Sequence, residues 1–498
     1  MKNIKKLLSV ALAFIMILSC MSTAFAASVE RCPVIVIPGI ATSTIYSDVN
    51  DPSTEIEFPT IEDLKIKVER EIAPALIVYA ADKDVDKLAG VFSDFFNYIF
   101  EDWFNNPDGT PIGNSGSIVT YPAASSITEK SVLRFEWDWR GDPFEVVKEL
   151  ARFVDYVRES SGCDKVAFAS HSLGSVIILT YLSLYGDSKV SGIVYDTPVI
   201  DGVNYVGELL LGNMETDGDA LVYGISGLFS GSEDADFAES ILDVLTLAGL
   251  PAELSVLFNS VIDDMAPVLY RDTLVPLFGR WLTIWAMTPA EDVDAAMDYI
   301  FTKYLTDEAS MELKGKIEKY NTLVRKDRYQ TLLDFDKEGR MAVISRYGFS
   351  SLPITERWSD IGDTVVETRS SSIGATTAAY GDIFDAAYLE GKADKYISPD
   401  KTVDASTCLF PEKTWFVKSL NHGDVTLTQP YYAALLFGEK EATCDSFELS
   451  RFVAYDAESN SIVKDESQPE KLEKKSPFEV LWGFLKSFFE KLFSFFKK

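Results

Sequence analysis

The 498 residues include two histidines and five cysteines, and 46 lysines and arginines stand against 77 aspartates and glutamates. Each shortage excludes something. A net charge of −31 repels phosphate backbones, so nucleic acid is excluded as a partner. Two histidines and no clustered cysteine spacing leave little from which to build a metal site, and nothing indicates an organic cofactor. What is present is material for a core: 47% of residues are apolar and 12% aromatic, which excludes disorder for most of the length.

Residues 1–26, "MKNIKKLLSVALAFIMILSCMSTAFA", run from Lys2, Lys5 and Lys6 through an apolar stretch to Ala-Phe-Ala. That order is a secretory signal peptide with cleavage after Ala26. Lipidation at Cys20 is the alternative, and it would leave a membrane-anchored lipoprotein. Beyond the leader remain Cys32, Cys163, Cys408 and Cys444. In an exported protein an even count permits two disulfides, with three connectivities, or four buried thiols.

The remainder alternates strands and helices. Val34 to Ile37 form a continuous apolar run that Pro38-Gly39 breaks, as in a strand buried on both faces. "VLRFEWDWR" reads as a second strand, followed by a helix opening at Pro143. "DKVAFAS", "LGSVIILTYLSLYG" and "VSGIVYDT" follow as strand, helix and strand, and this spacing specifies a parallel sheet. The expected organisation is an α/β core at 27–202, a helical cap at 203–335, the rest of the core at 336–455, a polar linker at 456–476 and an amphipathic helix at 477–498.

S-x-G occurs at Ser160, Ser172 and Ser372. Only Ser172, in "ASHSLGSVII", lies between a buried strand and an apolar helix, where a sharp turn exposes a nucleophile above the sheet. The usual G-x-S-x-G has glycine where this chain has Ser170. A serine nucleophile needs a base that titrates near neutrality, and histidine supplies one unperturbed. His171 adjoins Ser172 and is expected to point away from its oxygen. His422 follows the last apolar strand, where an α/β hydrolase carries its catalytic histidine. Asp363 is the preferred acid, with Asp400 as rival and Asp404 and Asp360 behind. Backbone N–H groups of Leu173 and Ile40 are the expected oxyanion donors.

"PVIVIPGIATS", "FEWDWRGDP", "SHSLG", "GDTVVETRS" and "NHGDV" together resemble the lecithin:cholesterol acyltransferase family of α/β hydrolases, across residues 33–426. The resemblance implies a mostly parallel sheet with an inserted helical cap, and a Ser172–Asp363–His422 triad acting on lipid acyl esters. It also implies that Asp138-Trp139-Arg140 braces the active-site floor. Departures are Ser170, Glu367 where proline is common, and about 35 additional residues before the last strand. With the family's strand order, Cys32 and Cys163 would start neighbouring strands. A Cys32–Cys163 disulfide is implied, and Cys408–Cys444 as a second.

From Lys471 onward seven lysines face three glutamates. Phe478, Leu481, Trp482, Leu485, Phe488, Phe489, Leu492, Phe495 and Phe496 share one helical face, as in an in-plane interfacial helix. The expected protein is therefore an exported lipase, phospholipase or acyltransferase with membrane-surface contact, secreted or attached to the cell surface. The alternative is an inactive hydrolase scaffold serving as a binding protein. Oligomeric state is not legible.

Overall fold

A computed structural model describes residues 31–229, 246, 249–438 and 441–471. The expected leader with Cys20 and the amphipathic segment at 477–498 lie outside the described residues. The α/β architecture is built on one sheet of eight strands: β1 (Val34–Ile37), β2 (Val132–Arg134), β3 (Val166–His171), β4 (Val190–Asp196), β5 (Arg340–Tyr347), β6 (Thr414–Lys418), β7 (Phe452–Asp456) and β8 (Ser461–Lys464). Their order across the sheet is β8-β7-β6-β5-β4-β3-β1-β2, parallel except for the antiparallel β7–β8 pair.

The unbroken apolar runs of the central strands follow from burial on both faces. Side chains alternate across a strand, and the strands divide their residues accordingly. Ile35, Phe168, Ile193 and Val343 face one core. Val34, Ala167, Ala169, Val194 and Ala342 face the other. The first core receives helices α1 (Pro143–Ser161) and α2 (Gly174–Tyr185), through residues such as Val147, Phe153, Ile177 and Tyr181. The second is covered by α3 (Gln429–Phe437), through Tyr432, Leu435 and Leu436.

Helix α1 opens at Pro143, as its sequence predicts. Asp142 caps it by accepting from Phe144 N–H, and Gly162 ends it at φ +73°. Between β4 and β5 the described residues are largely helical. Tyr270, Trp285, Ile300 and Leu313 from that segment join the same core as Phe168 and Ile193, so it is continuous with the sheet's packing.

Four expectations differ from the structure. The second strand stops at Arg134, because Trp137 and Trp139 turn their indoles onto the carbonyls of Pro38 and Ser43, both at 3.1 Å. Residues 461–464, read as linker, are strand β8, whose partner β7 extends the sheet past β6. Helices at Ile61–Lys67 and Ala73–Asp82 stand where no element was assigned. The Cys32–Cys163 disulfide is not formed. Val34 pairs with Ala167, which sets Cys163 out of step with Cys32, and the Cys32 thiol lies 2.9 Å from Ser191 Oγ. Cys408 and Cys444 donate to separate carbonyls, of Ala405 and Thr414.

Candidate active site

Strand β3 ends at His171, and the chain turns through Ser172 into α2. Ser172 holds a left-handed φ of +53°, a conformation that costs an L-residue energy and persists only when its surroundings enforce it. Enforcement is visible on both sides. Its N–H donates to Asp196 O at 3.0 Å, and its carbonyl accepts from Ser175 N–H at 3.0 Å and from Ser175 Oγ at 2.7 Å. Gly174 is required by space: a Cβ there would lie 2.2 Å from Ile37 O. A Cβ on Gly39 would come within 2.9 Å of Ser172 Cβ, so the loop after β1 lies directly against this serine.

Ser170, the departure from the usual motif, is 1% exposed, and its hydroxyl has no hydrogen-bond partner among the described residues. The strand accommodates the extra group by leaving it unsatisfied.

His422 sits in the loop after β6. Its Nδ1 is 2.7 Å from Asp363 Oδ2, and its backbone N–H donates to Asp363 O at 3.1 Å. The other carboxylate oxygen of Asp363 accepts from Val365 N–H at 3.1 Å and Val366 N–H at 2.7 Å. Burial alone would raise this carboxyl. The charge and hydrogen bond of His422, with the Val366 N–H and the nearby Arg346, outweigh burial and hold it below the usual aspartate value.

The rival carboxylates are committed elsewhere. Asp400 pairs with Lys418 at 2.7 Å and accepts from Ser398 at 2.6 Å and Thr402 at 2.8 Å. Asp404 pairs with Lys392 at 2.7 Å and accepts from Tyr388 at 3.0 Å, while Asp360 accepts from Asn204. Among the described residues, Asp363 is the carboxylate on His422.

Leu173 is the N-cap of α2, and Ile40 follows Gly39 in the loop beside Ser172. Neither amide has a hydrogen-bond acceptor among the described residues. Trp137 braces this loop through Pro38 O, and Trp139 through Ser43 O. Arg140 is locked on Asp138 by two bonds, at 2.9 and 2.8 Å.

His171 takes a place the sequence did not assign. Its ring lies 4.6 Å from that of His422, and its Nδ1 is 3.2 Å from Thr197 Oγ1. Burial first, then the proximity of His422, hold its pKa well below the ordinary value. The two imidazole rings are tilted by 41° to one another.

A further regularity is conformational. Left-handed non-glycine residues follow the strands around this point: Ala41 (φ +54°) after β1, Ser172 after β3, Thr197 (φ +46°) after β4 and Ser419 (φ +58°) after β6. Thr364 (φ +83°) adjoins Asp363. Strained backbone concentrates where loops must place groups accurately.

Sequence reasoning gave no role to Glu367 beyond a departure, nor any to Arg346 and Asp196. Glu367 accepts from Asn204 N–H at 3.1 Å and Ser351 Oγ at 3.2 Å, and burial pushes its carboxyl up to about 7. A cavity of about 510 Å³ is lined by Phe135, Trp137, Asp138, Asp142 and Lys316, and by none of Ser172, Asp363 and His422.

No family model matches this chain, and no curated protein matches it. A solved structure described as the crystal structure of the Tle4–Tli4 complex is 13% identical, with a TM-score of 0.18. The match covers 36% of this chain and 48% of the other, so this chain spans about half the length of that relative. A likeness of that size carries no argument about function.

Proposed function

We propose that the protein is a serine hydrolase or acyltransferase of the α/β-hydrolase type, acting on lipid acyl esters by a Ser172–His422–Asp363 triad. The observation that carries the reading is the conjunction of a left-handed Ser172 at a helix N-terminus with His422 oriented by a buried Asp363.

In this reaction Ser172 Oγ attacks the ester carbonyl carbon while His422 Nε2 takes its proton. Asp363, bonded to Nδ1–H, fixes the tautomer that leaves Nε2 free to accept. The carbonyl oxygen becomes an oxyanion, which the N–H groups of Leu173 and Ile40 stabilise, aided by the dipole of α2. The intermediate collapses as His422 returns the proton to the departing alcohol, leaving an acyl ester on Ser172. Water or a second alcohol then repeats the sequence in reverse, giving hydrolysis or acyl transfer.

The lipid character of the substrate rests on the motif resemblance and on the aromatic, lysine-rich segment at 477–498, which would hold the enzyme at an anionic membrane surface. Residues 1–26 would export it, by cleavage after Ala26 or, alternatively, by lipidation at Cys20. The test is turnover of p-nitrophenyl acyl esters and phospholipid vesicles. Ser172→Ala and His422→Ala should each reduce it about 10⁴- to 10⁶-fold, and unchanged turnover in either would refute the reading.

A further inference from the structure

His422 is carried by a loop whose Asn421 and Gly423 face solvent, so something must hold its backbone against the sheet. The guanidinium of Arg346, on β5, does so from below. Its Nη1 donates to the carbonyls of both Asn421 and His422, the latter at 2.9 Å. Its Nη2 pairs with both oxygens of Asp196 at 3.3 Å, and both side chains are fully buried.

Asp196 ends β4 and is itself fixed by Thr428 Oγ1 at 2.5 Å and Tyr432 OH at 2.6 Å. Its backbone carbonyl accepts Ser172 N–H at 3.0 Å. Arg346 O in turn accepts from Thr368 Oγ1 at 2.8 Å, just beyond the Asp363 loop. The two residues of this buried pair therefore contact the Ser172 turn and Thr368 through their backbone carbonyls, and the histidine loop through the guanidinium.

Desolvation of both charges offsets most of the attraction in a buried pair, so such a pair adds little stability, although removing one partner alone leaves an uncompensated charge. A fork of fixed donors is, however, well suited to locking two successive carbonyls.

We propose that Arg346, oriented by Asp196, is the positioning residue of the base: it sets the His422 loop so that the imidazole faces Ser172. The inference rests on the triad reading. Arg346 touches no reacting atom and acts through the peptide units on either side of the His422 Cα. The pair is electrically balanced, so its removal in halves has opposite consequences. Removing Arg346 leaves the Asp196 anion, which Tyr432 on α3 contacts, uncompensated beneath the His422 loop, whose imidazole meets Asp363 from the acid loop and His171 on β3. Removing the Asp196 charge leaves an unbalanced cation instead.

The experiment is the rate of covalent labelling by a fluorophosphonate as a function of pH, on the full chain, with thermal unfolding measured alongside. Arg346→Met should slow labelling about 10- to 100-fold and move the acid limb of the profile to higher pH. Asp196→Asn should move that limb to lower pH. Arg346→Lys, which keeps charge but lacks the fork, should slow labelling while leaving the limb closest to wild type. Should Arg346→Met not fold, Arg346→Lys and Asp196→Asn carry the test. Wild-type rates and limbs in the folded variants would overturn the proposal, as would losses that only track the unfolded fraction. No labelling of the wild type is a different failure, of the triad reading itself.

Discussion

The imidazole Nδ1 of His422 lies 2.7 Å from Asp363 Oδ2, across 59 residues of sequence. Asp400, nearer in the chain, points instead into its bond with Lys418. The two carboxylates therefore separate cleanly by mutation. Asp363→Asn should lower ester turnover about 10⁴-fold by favouring the wrong tautomer. Asp400→Asn should leave turnover near wild type and lower the thermal midpoint, since it breaks a largely buried ion pair. Equal loss of turnover in both variants would contradict the assignment.

Ser170 offers a stability gain. Its hydroxyl is buried without a partner among the described residues, so Ser170→Ala removes an unsatisfied polar group at little cost in packing. The variant should be more stable by about 1 kcal/mol, read from denaturant unfolding, with turnover retained. A less stable variant would mean that the hydroxyl is bonded in solution.

Gly174 should tolerate nothing larger. A Cβ 2.2 Å from Ile37 O forces α2 away from β1 and with it the Leu173 N–H. Gly174→Ala is expected to lose about 1–3 kcal/mol of stability or more and to lose labelling at Ser172. Normal labelling of a folded Gly174→Ala protein would show that the turn is looser than described.

Glu367 predicts a pH effect on stability. Burial raises its carboxyl from 4.5 to about 7. A folded-state pKa above the unfolded one gives stability that is full below about 4.5 and is lost as pH rises through about 7. Glu367→Gln keeps an acceptor for the Asn204 N–H and abolishes that titration. At pH 8 it should be more stable than wild type by on the order of 1–3 kcal/mol, with the difference shrinking as pH falls. Parallel stability curves for the two proteins would contradict this.

Much of the core was legible because one physical signal dominated it. β3 and β5 are buried on both faces, so their apolar runs announce strands without ambiguity. Ser172 was singled out by the elements flanking it, and His422 by the scarcity of histidine. Other parts lacked such a signal. Arg346 sits in "RMAVISRYG" as an ordinary charged residue near a strand end. Its partner Asp196 is 150 positions away, and only folding shows both to be buried. Strand β8 is a short edge strand among polar residues, whose partly exposed pattern resembles linker. The 4.6 Å approach of His171 to His422 depends on side-chain direction at a strained turn, which residue order does not convey.

The most direct test of the central claim is where a fluorophosphonate reacts. After labelling of the intact protein and proteolysis, mass spectrometry should find one phosphonylated residue, Ser172. The adduct should vanish in Ser172→Ala and be strongly reduced in His422→Ala. An unlabelled wild-type protein would contradict the account and favour a binding scaffold over an enzyme, and an adduct at Ser160, Ser372 or another serine would contradict Ser172 as the nucleophile.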